Sequence, residues 1–138
     1  MPCGNASAAL ALHRPGLLSG CKRYTDAAEK ALQSVADHIN QSPLHAASFV
    51  ALLEAIQHPA LQIIVRGEAR QLQSWRERLL PRLKPSQSAY FIASDALDLP
   101  SALADKNTLD KVTAWVYEGF SCRAPLFKIE PVLRLIDE

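Results

Sequence analysis

The sequence predicts a mixed α and β fold in which an N-terminal helical hairpin precedes a small α/β unit with a three-stranded sheet. Apolar residues recur at helical spacing in the first part of the chain, a short β-branched run follows at 61–65, and two further strand-like runs lie at 88–93 and 112–117. We therefore assign a helical segment to 1–58 and a small α/β segment to 59–138, together expected to form one compact unit.

Length and composition are those of a small packed protein. The chain has 138 residues, of which 49% are hydrophobic and 21% charged, with a formal net charge of +1. A chain of this size and composition buries enough surface to form a globular core. The near-neutral balance argues against a nucleic-acid or anionic-membrane partner, because both require clustered cations.

The densest group of basic residues in the chain is interleaved with Glu68 and Glu77, as on the solvated face of a helix. Its members are Arg66, Arg70, Arg76, Arg78, Arg82 and Lys84.

The compartment is predicted from the termini and the cysteines. No apolar run approaches the ~20 residues that span a bilayer, and the apolar stretch before His13 lacks the preceding positive charge of a signal peptide. Cys3, Cys21 and Cys122 are an odd number at wide spacing. Reduced thiols in the cytoplasm fit this pattern better than a disulfide framework.

Three helices are expected in the first segment. The first begins at Gly4, kinks or ends near Arg14 because of Pro15, and stops by Gly20. The second is amphipathic and covers 22–40.

The third helix is expected to begin at Ser42-Pro43, where a capping residue precedes a proline suited to a first turn. Pro59 is expected to close it.

The second segment predicts a βαβ unit. The strand at 61–65 ends at Gly67, a helix continues to Pro81, and the strand at 88–93 follows, which indicates a parallel pair. Residues 94–110 are expected to be a loop with at most one helical turn. A third strand at 112–117 precedes a loop at 122–125 and a terminal helix at 129–136.

Motifs that carry chemistry are scarce, and no catalytic, cofactor or metal residues are assigned. Gly67 follows a strand, where a helix N-terminus can bind an anion, but GxGxxG and GxxxxGK[ST] are both missing, which favours a simple turn. The histidines show no i, i+3 or i, i+4 pair and no HExxH motif. They are His13, His38, His45 and His58.

Cys122 is the single candidate reactive thiol. Arg123 lies beside it, and a neighbouring cation can lower a thiol pKa. A nucleophile also needs a base, and none lies nearby in the sequence, so packing or an inert loop thiol is the favoured interpretation. The carboxylates have no recognisable partner for acid–base work, which favours solvated charges. They are Asp95, Asp98, Asp105 and Glu118.

Several short motifs occur in a familiar order. Pro2-Cys3-Gly4-Asn5 opens the chain, Gln62-Ile63-Ile64-Val65-Arg66-Gly67 forms the first strand, and Leu99-Pro100 and Lys106 follow. The most specific is Ala114-Trp115-Val116-Tyr117-Glu118-Gly119-Phe120-Ser121-Cys122-Arg123-Ala124-Pro125. Together they resemble the C-terminal end of the YyaL-like thioredoxin-domain-containing proteins, relatives of the spermatogenesis-associated thioredoxin-like proteins.

This resemblance implies a place in a larger architecture. Family members have a thioredoxin-like domain followed by an α/α toroid similar to that of N-acylglucosamine 2-epimerases and six-hairpin glycosidases, and this chain would correspond to the last toroid helices and a small tail. It departs from the family at three positions. Tyr117 stands where a second cysteine is usual, Cys3 replaces a serine, and Pro15 interrupts a helix that normally continues.

Two functions follow as hypotheses. In the first, the chain is a non-catalytic C-terminal module or fragment whose exposed helix faces bind a second copy or another polypeptide. In the second, it belongs to a carbohydrate-processing or sugar-binding protein, active only with missing parts or as an oligomer. No cofactor is expected in either case.

Overall fold

The structure, a computed structural model, describes residues 4–42, 46–106, 108 and 111–138. It has a mixed α/β fold, which confirms the predicted class. The chain divides into two compact units, a helical unit at Met1–Pro59 and an α/β unit at Ala60–Glu138. Within the ranges described, no helix has the length and hydropathy required to cross a bilayer.

The helical unit is built around small side chains that allow close packing. Its core combines alanines with two large residues and consists of Ala6, Ala9, Ala28, Phe49 and Leu52. Its helices are α1 (Gly4–Ser19), α2 (Lys22–Gln33), α3 (Ala36–Gln41) and α4 (Ala47–Gln57).

The first helix does not end near Arg14, one of the two outcomes expected from Pro15, but continues to Ser19. Pro15 lies inside α1, and Ser19 Oγ donates a hydrogen bond to the Pro15 carbonyl at 2.7 Å. A proline removes one backbone hydrogen bond, but the buried face of α1 continues past it, and this packing holds the helix together. That face consists of Ala6, Ala9, His13 and Gly16.

The predicted stop after α1 is confirmed. Gly20 has a φ of 68°, in the left-handed region that glycine adopts without a Cβ penalty. The Cys21 N–H donates to the Gly16 carbonyl at 3.0 Å, which is the six-to-one bond of a Schellman motif.

The helix predicted for 22–40 is interrupted, because a turn at Ser34 and Val35 separates α2 from α3. Ser34 Oγ donates to the Ala31 carbonyl at 2.8 Å, and the Val35 N–H donates to Leu32, three residues back, at 3.2 Å. A serine side chain that bonds a nearby backbone carbonyl competes with the backbone hydrogen bonds of the helix. Here the bond to Ala31 accompanies a tighter last turn of α2.

The start of the next helix also differs from expectation. Helix α4 begins at Ala47 with Ala46 at its N-cap, rather than at Ser42-Pro43. Pro43 lies outside the described residues. The end is as predicted, since His58 is the C-cap residue and Pro59 follows.

Among its described residues, the α/β unit contains one sheet and three α-helices. In chain order its elements are β1 (Leu61–Gly67), α5 (Ala69–Leu79), β2 (Ser88–Ala93), α6 (Ser101–Ala104), β3 (Thr113–Glu118), β4 (Ser121–Cys122) and α7 (Ile129–Asp137). A 3₁₀ turn at Leu80–Arg82 contains Pro81 and ends α5.

The sheet has four strands in the order β2-β1-β3-β4, not three. Strand β1 pairs in parallel with β2, as predicted, and antiparallel with β3. The added strand β4 forms a hairpin with β3 in which Tyr117 lies opposite Cys122 and Glu118 opposite Ser121. Two residues carry too little periodicity to be recognised as a strand from the sequence.

One face of this sheet forms the main core. Side chains alternate along a strand, so Ile63 and Val65 point to the face that packs against α5 and α7, together with Ala114 and Val116 of β3. The helices contribute Leu72, Trp75, Leu79, Ile129, Val132, Leu133 and Ile136. The terminal helix is therefore confirmed, with its apolar side buried.

Candidate functional site

The end of β1 is shaped by a close approach to the residue before β3. A Cβ built on Gly67 would lie 2.8 Å from Val112 Cγ2 and 3.2 Å from Val112 Cα. Gly67 therefore permits close packing of two backbone segments, a different need from binding phosphate. Sequence reasoning assigned Gly67 to a turn because this contact is long-range.

Arg66 is the principal polar residue of this region and is only 4% exposed. Its Nη1 group donates to the carbonyls of Leu103 at 3.2 Å and Lys106 at 2.9 Å, and Nη2 donates to those of Ala93 at 3.3 Å and Ser94 at 3.2 Å. This one guanidinium on β1 therefore binds two parts of the segment that follows β2. One part is its start, at Ala93 and Ser94, and the other lies at Leu103 and Lys106. Its Nε has no hydrogen-bond partner among the described residues.

Between Ser94 and Leu103 lies Leu97, which at 84% is the most exposed large apolar side chain of the described residues. The Ala96 N–H donates to the Ala93 carbonyl at 3.1 Å, and Asp98 has a φ of 57°. Left-handed backbone is uncommon outside glycine, although aspartate is among the residues that tolerate it. The loop is consequently a defined turn that presents Leu97 between two exposed carboxylates, Asp95 and Asp98.

A groove lies at the same end of the sheet. It has a volume of about 330 Å³. Phe127, 62% exposed, lines it together with the buried side chains of Trp75 and Val112. The polar lining residues are Gln71, Ser74 and Lys111, so its only ionisable side chain among the described residues is a cation. Sequence reasoning missed this groove because its walls come from three separate segments.

Cys122, the predicted reactive thiol, is exposed on β4. Its Sγ donates to the Arg123 carbonyl at 3.3 Å, while the Arg123 guanidinium lies 4.0 Å from a carboxylate oxygen of Glu118. A second cation, Lys106, lies over Tyr117, with its Nζ 5.1 Å from the centre of the Tyr117 ring.

These three groups influence one another. Burial lowers the pKa of Lys106, opposed by the nearby charges of Cys122 and Asp105. Burial also raises the pKa of Tyr117, as does its hydrogen bond with Cys122. The arrangement holds a lysine, a phenol and a thiol together, but it gives the thiol no histidine or carboxylate base among its described contacts.

The histidines do not converge in the part of the chain that is described. His13 is buried in α1, and His58 caps α4. The side chain of His38 and all of His45 lie outside the described residues. Among described positions, no three His, Cys, Asp or Glu side chains form a group suited to a metal ion.

The carboxylates and the other cysteines considered in the sequence analysis lie on different elements and loops. Asp95 and Asp98 flank Leu97, Asp105 follows α6, and Glu118 ends β3. Cys21 is half-buried and unpaired, and Cys3 lies outside the described residues.

The arginines of the basic group make different contacts with neighbouring elements. The Arg76 guanidinium lies 5.1 Å from the centre of the Phe91 ring, the Arg78 guanidinium pairs with Glu130 at 3.3 Å, and that of Arg82 pairs with Asp137. Arg66 is buried, as described above. These contacts join α5 and its 3₁₀ turn to β2 and α7.

No family model, curated protein or solved structure matches this chain.

Proposed function

We propose that this chain is a non-catalytic module that acts through self-association in the cytoplasm. Its resemblance to the C-terminal end of YyaL-like thioredoxin-domain-containing proteins supports a role as the terminal part of such an architecture. Free cysteines are compatible with a reducing compartment.

The observation that carries the proposal is the exposure of large apolar side chains on the α/β unit. Leu97 is 84% exposed, Phe120 73% and Phe127 62%. Single exposed apolar residues are ordinary on protein surfaces, but aromatic side chains beside a groove are typical of binding surfaces. Phe127 beside Trp75 and Val112 has this character.

Sedimentation velocity of the full chain over about three decades of protein concentration tests this function, because mass action makes association concentration-dependent. We expect a reversible shift from monomer to a larger species. A constant monomer mass throughout would contradict the proposal.

A further inference from the structure

The surfaces that carry self-association can be specified, and this step depends on the function proposed above. We infer that two copies form a two-fold dimer in which Leu97 of each copy enters the groove lined by Trp75, Val112 and Phe127 of the other.

The two surfaces are a projection and a concavity. Leu97 projects from a turn and is 84% exposed, so it lies outside the groove of its own chain. The groove is about 330 Å³, within the range of ordinary binding pockets. An apolar projection and a groove whose walls include the apolar side chains of Trp75, Val112 and Phe127 are both present on one chain, which allows a contact between copies.

The charges are complementary. Leu97 lies between the exposed carboxylates of Asp95 and Asp98, whereas the one ionisable side chain in the described groove lining is Lys111. Leu97 in a neighbouring groove therefore brings acidic groups to a cation. Such complementarity favours this partner over an uncharged apolar segment.

The topology favours a reciprocal dimer over a filament. Strands β1 and β2 are parallel and end together, with Gly67 opposite Ala93, and Leu97 follows this end. Strand β3 is antiparallel and starts at the same end, with Thr113 opposite Arg66, so Lys111 and Val112 lie there too. Because the projection and the groove share one end of the sheet, a single two-fold contact satisfies both, and the assembly closes.

The projecting loop is held in place before binding. The guanidinium of Arg66 bonds Ala93 and Ser94 on one side of the loop and Leu103 and Lys106 on the other. The left-handed backbone of Asp98, which aspartate tolerates, gives the turn a defined shape. Pre-organisation of this sort lowers the entropic cost of association.

The test compares the dimer dissociation constants of Leu97→Ser and Phe127→Ser with that of the wild type by sedimentation velocity. Each variant removes both reciprocal contacts of its own homodimer, so each is expected to weaken association by about thirtyfold or more, as for a buried anchor. Phe120→Ser is the matched control, because Phe120 is 73% exposed but lies on the turn between β3 and β4. Circular dichroism checks that all three remain folded.

A mixing experiment separates this geometry from general stickiness. The Leu97→Ser chain keeps its groove and the Phe127→Ser chain keeps its leucine, so their mixture restores one of two contacts. We expect the mixture to associate more tightly than either variant alone. Lys111→Glu is expected to weaken the wild-type dimer, because it places a carboxylate beside Asp95 and Asp98.

The outcomes are distinguishable. A wild-type dimer that Leu97→Ser affects no more than Phe120→Ser, or a mixture that shows no recovery, overturns the proposed contact and leaves self-association in place. A wild-type chain that remains monomeric overturns both the contact and the proposed function.

Discussion

At the residue scale, Arg66 shows how a single side chain organises a distant segment. Four backbone carbonyls accept hydrogen bonds from its guanidinium, and all belong to residues at least 27 positions away. The sequence signal was visible as a cation at the end of an apolar strand. Its partners were not predictable, because backbone carbonyls carry no residue-specific pattern.

His13 is the other buried polar residue with a clear physical consequence. It is 5% exposed, and neither ring nitrogen makes a hydrogen bond to the described residues. Burial lowers the pKa of His13 below its ordinary 6.5, although the Ala55 backbone and the charge of Glu29 act in the opposite direction and Arg14 adds to the lowering. The helical unit therefore favours the neutral imidazole.

We predict that the free energy of unfolding falls on acidification through His13. The unfolded chain takes up the proton near pH 6.5, whereas the folded chain resists it until a lower pH, so stability is lost as pH falls below the unfolded pKa. Urea unfolding from about pH 7.5 to 5 should show a weaker pH dependence for His13→Leu than for the wild type. The control is His58→Gln, at an exposed helix end, which should retain the wild-type change of unfolding free energy with pH. If the wild type and His13→Leu showed the same change with pH, His13 would not have this role.

At the element scale, α1 and the segment at 22–40 depart from the expected helices for different reasons. Helix α1 continues through Pro15 because its buried face lies on both sides of the proline, so packing outweighs one missing hydrogen bond. The 22–40 helix breaks because Ser34 and Val35 form shorter-range bonds. Hydrophobic periodicity alone did not reveal either effect.

Pro15→Ala is expected to stabilise the helical unit. Pro15 is exposed, so the substitution restores a backbone N–H without disturbing the core, and the gain should be about 1–3 kcal/mol. Thermal or urea unfolding measures it. Ser19→Ala is a useful comparison, since it removes the hydroxyl that donates to the Pro15 carbonyl and should not stabilise the helical unit. An unchanged or lowered stability of Pro15→Ala would contradict the expected gain.

At the scale of the whole molecule, each unit has its own hydrophobic core. Leu52 is fully buried in the helical unit, and Ile136 is fully buried against the sheet of the α/β unit. The small core of the helical unit contains several alanines, whereas the sheet core contains mostly larger aliphatic and aromatic residues. Each core therefore has its own sensitive positions.

Core truncation should report on these positions separately. Leu52→Ala and Ile136→Ala each remove several buried carbons and should cost about 2–5 kcal/mol. Hydrogen exchange is expected to rise first in α1, α2 and α4 for Leu52→Ala, and in β1, β3 and α7 for Ile136→Ala. Uniform exchange across the chain for both variants would argue against separate cores.

The sequence by itself determined the mixed fold class, the parallel pair of β1 and β2 and the terminal helix, because each follows from local periodicity and short-range connections. It also singled out Cys122, Gly67, Asp95 and Asp98, but it did not show which residues lie beside them in the folded chain. Only the tertiary structure placed Lys106 beside Cys122 and formed the groove from Trp75, Val112 and Phe127. The anchoring by Arg66 and that groove depend on contacts between residues far apart in sequence, and no local pattern records them. The fourth strand pairs with its near neighbours in a hairpin, but its two residues are too few to show a strand period.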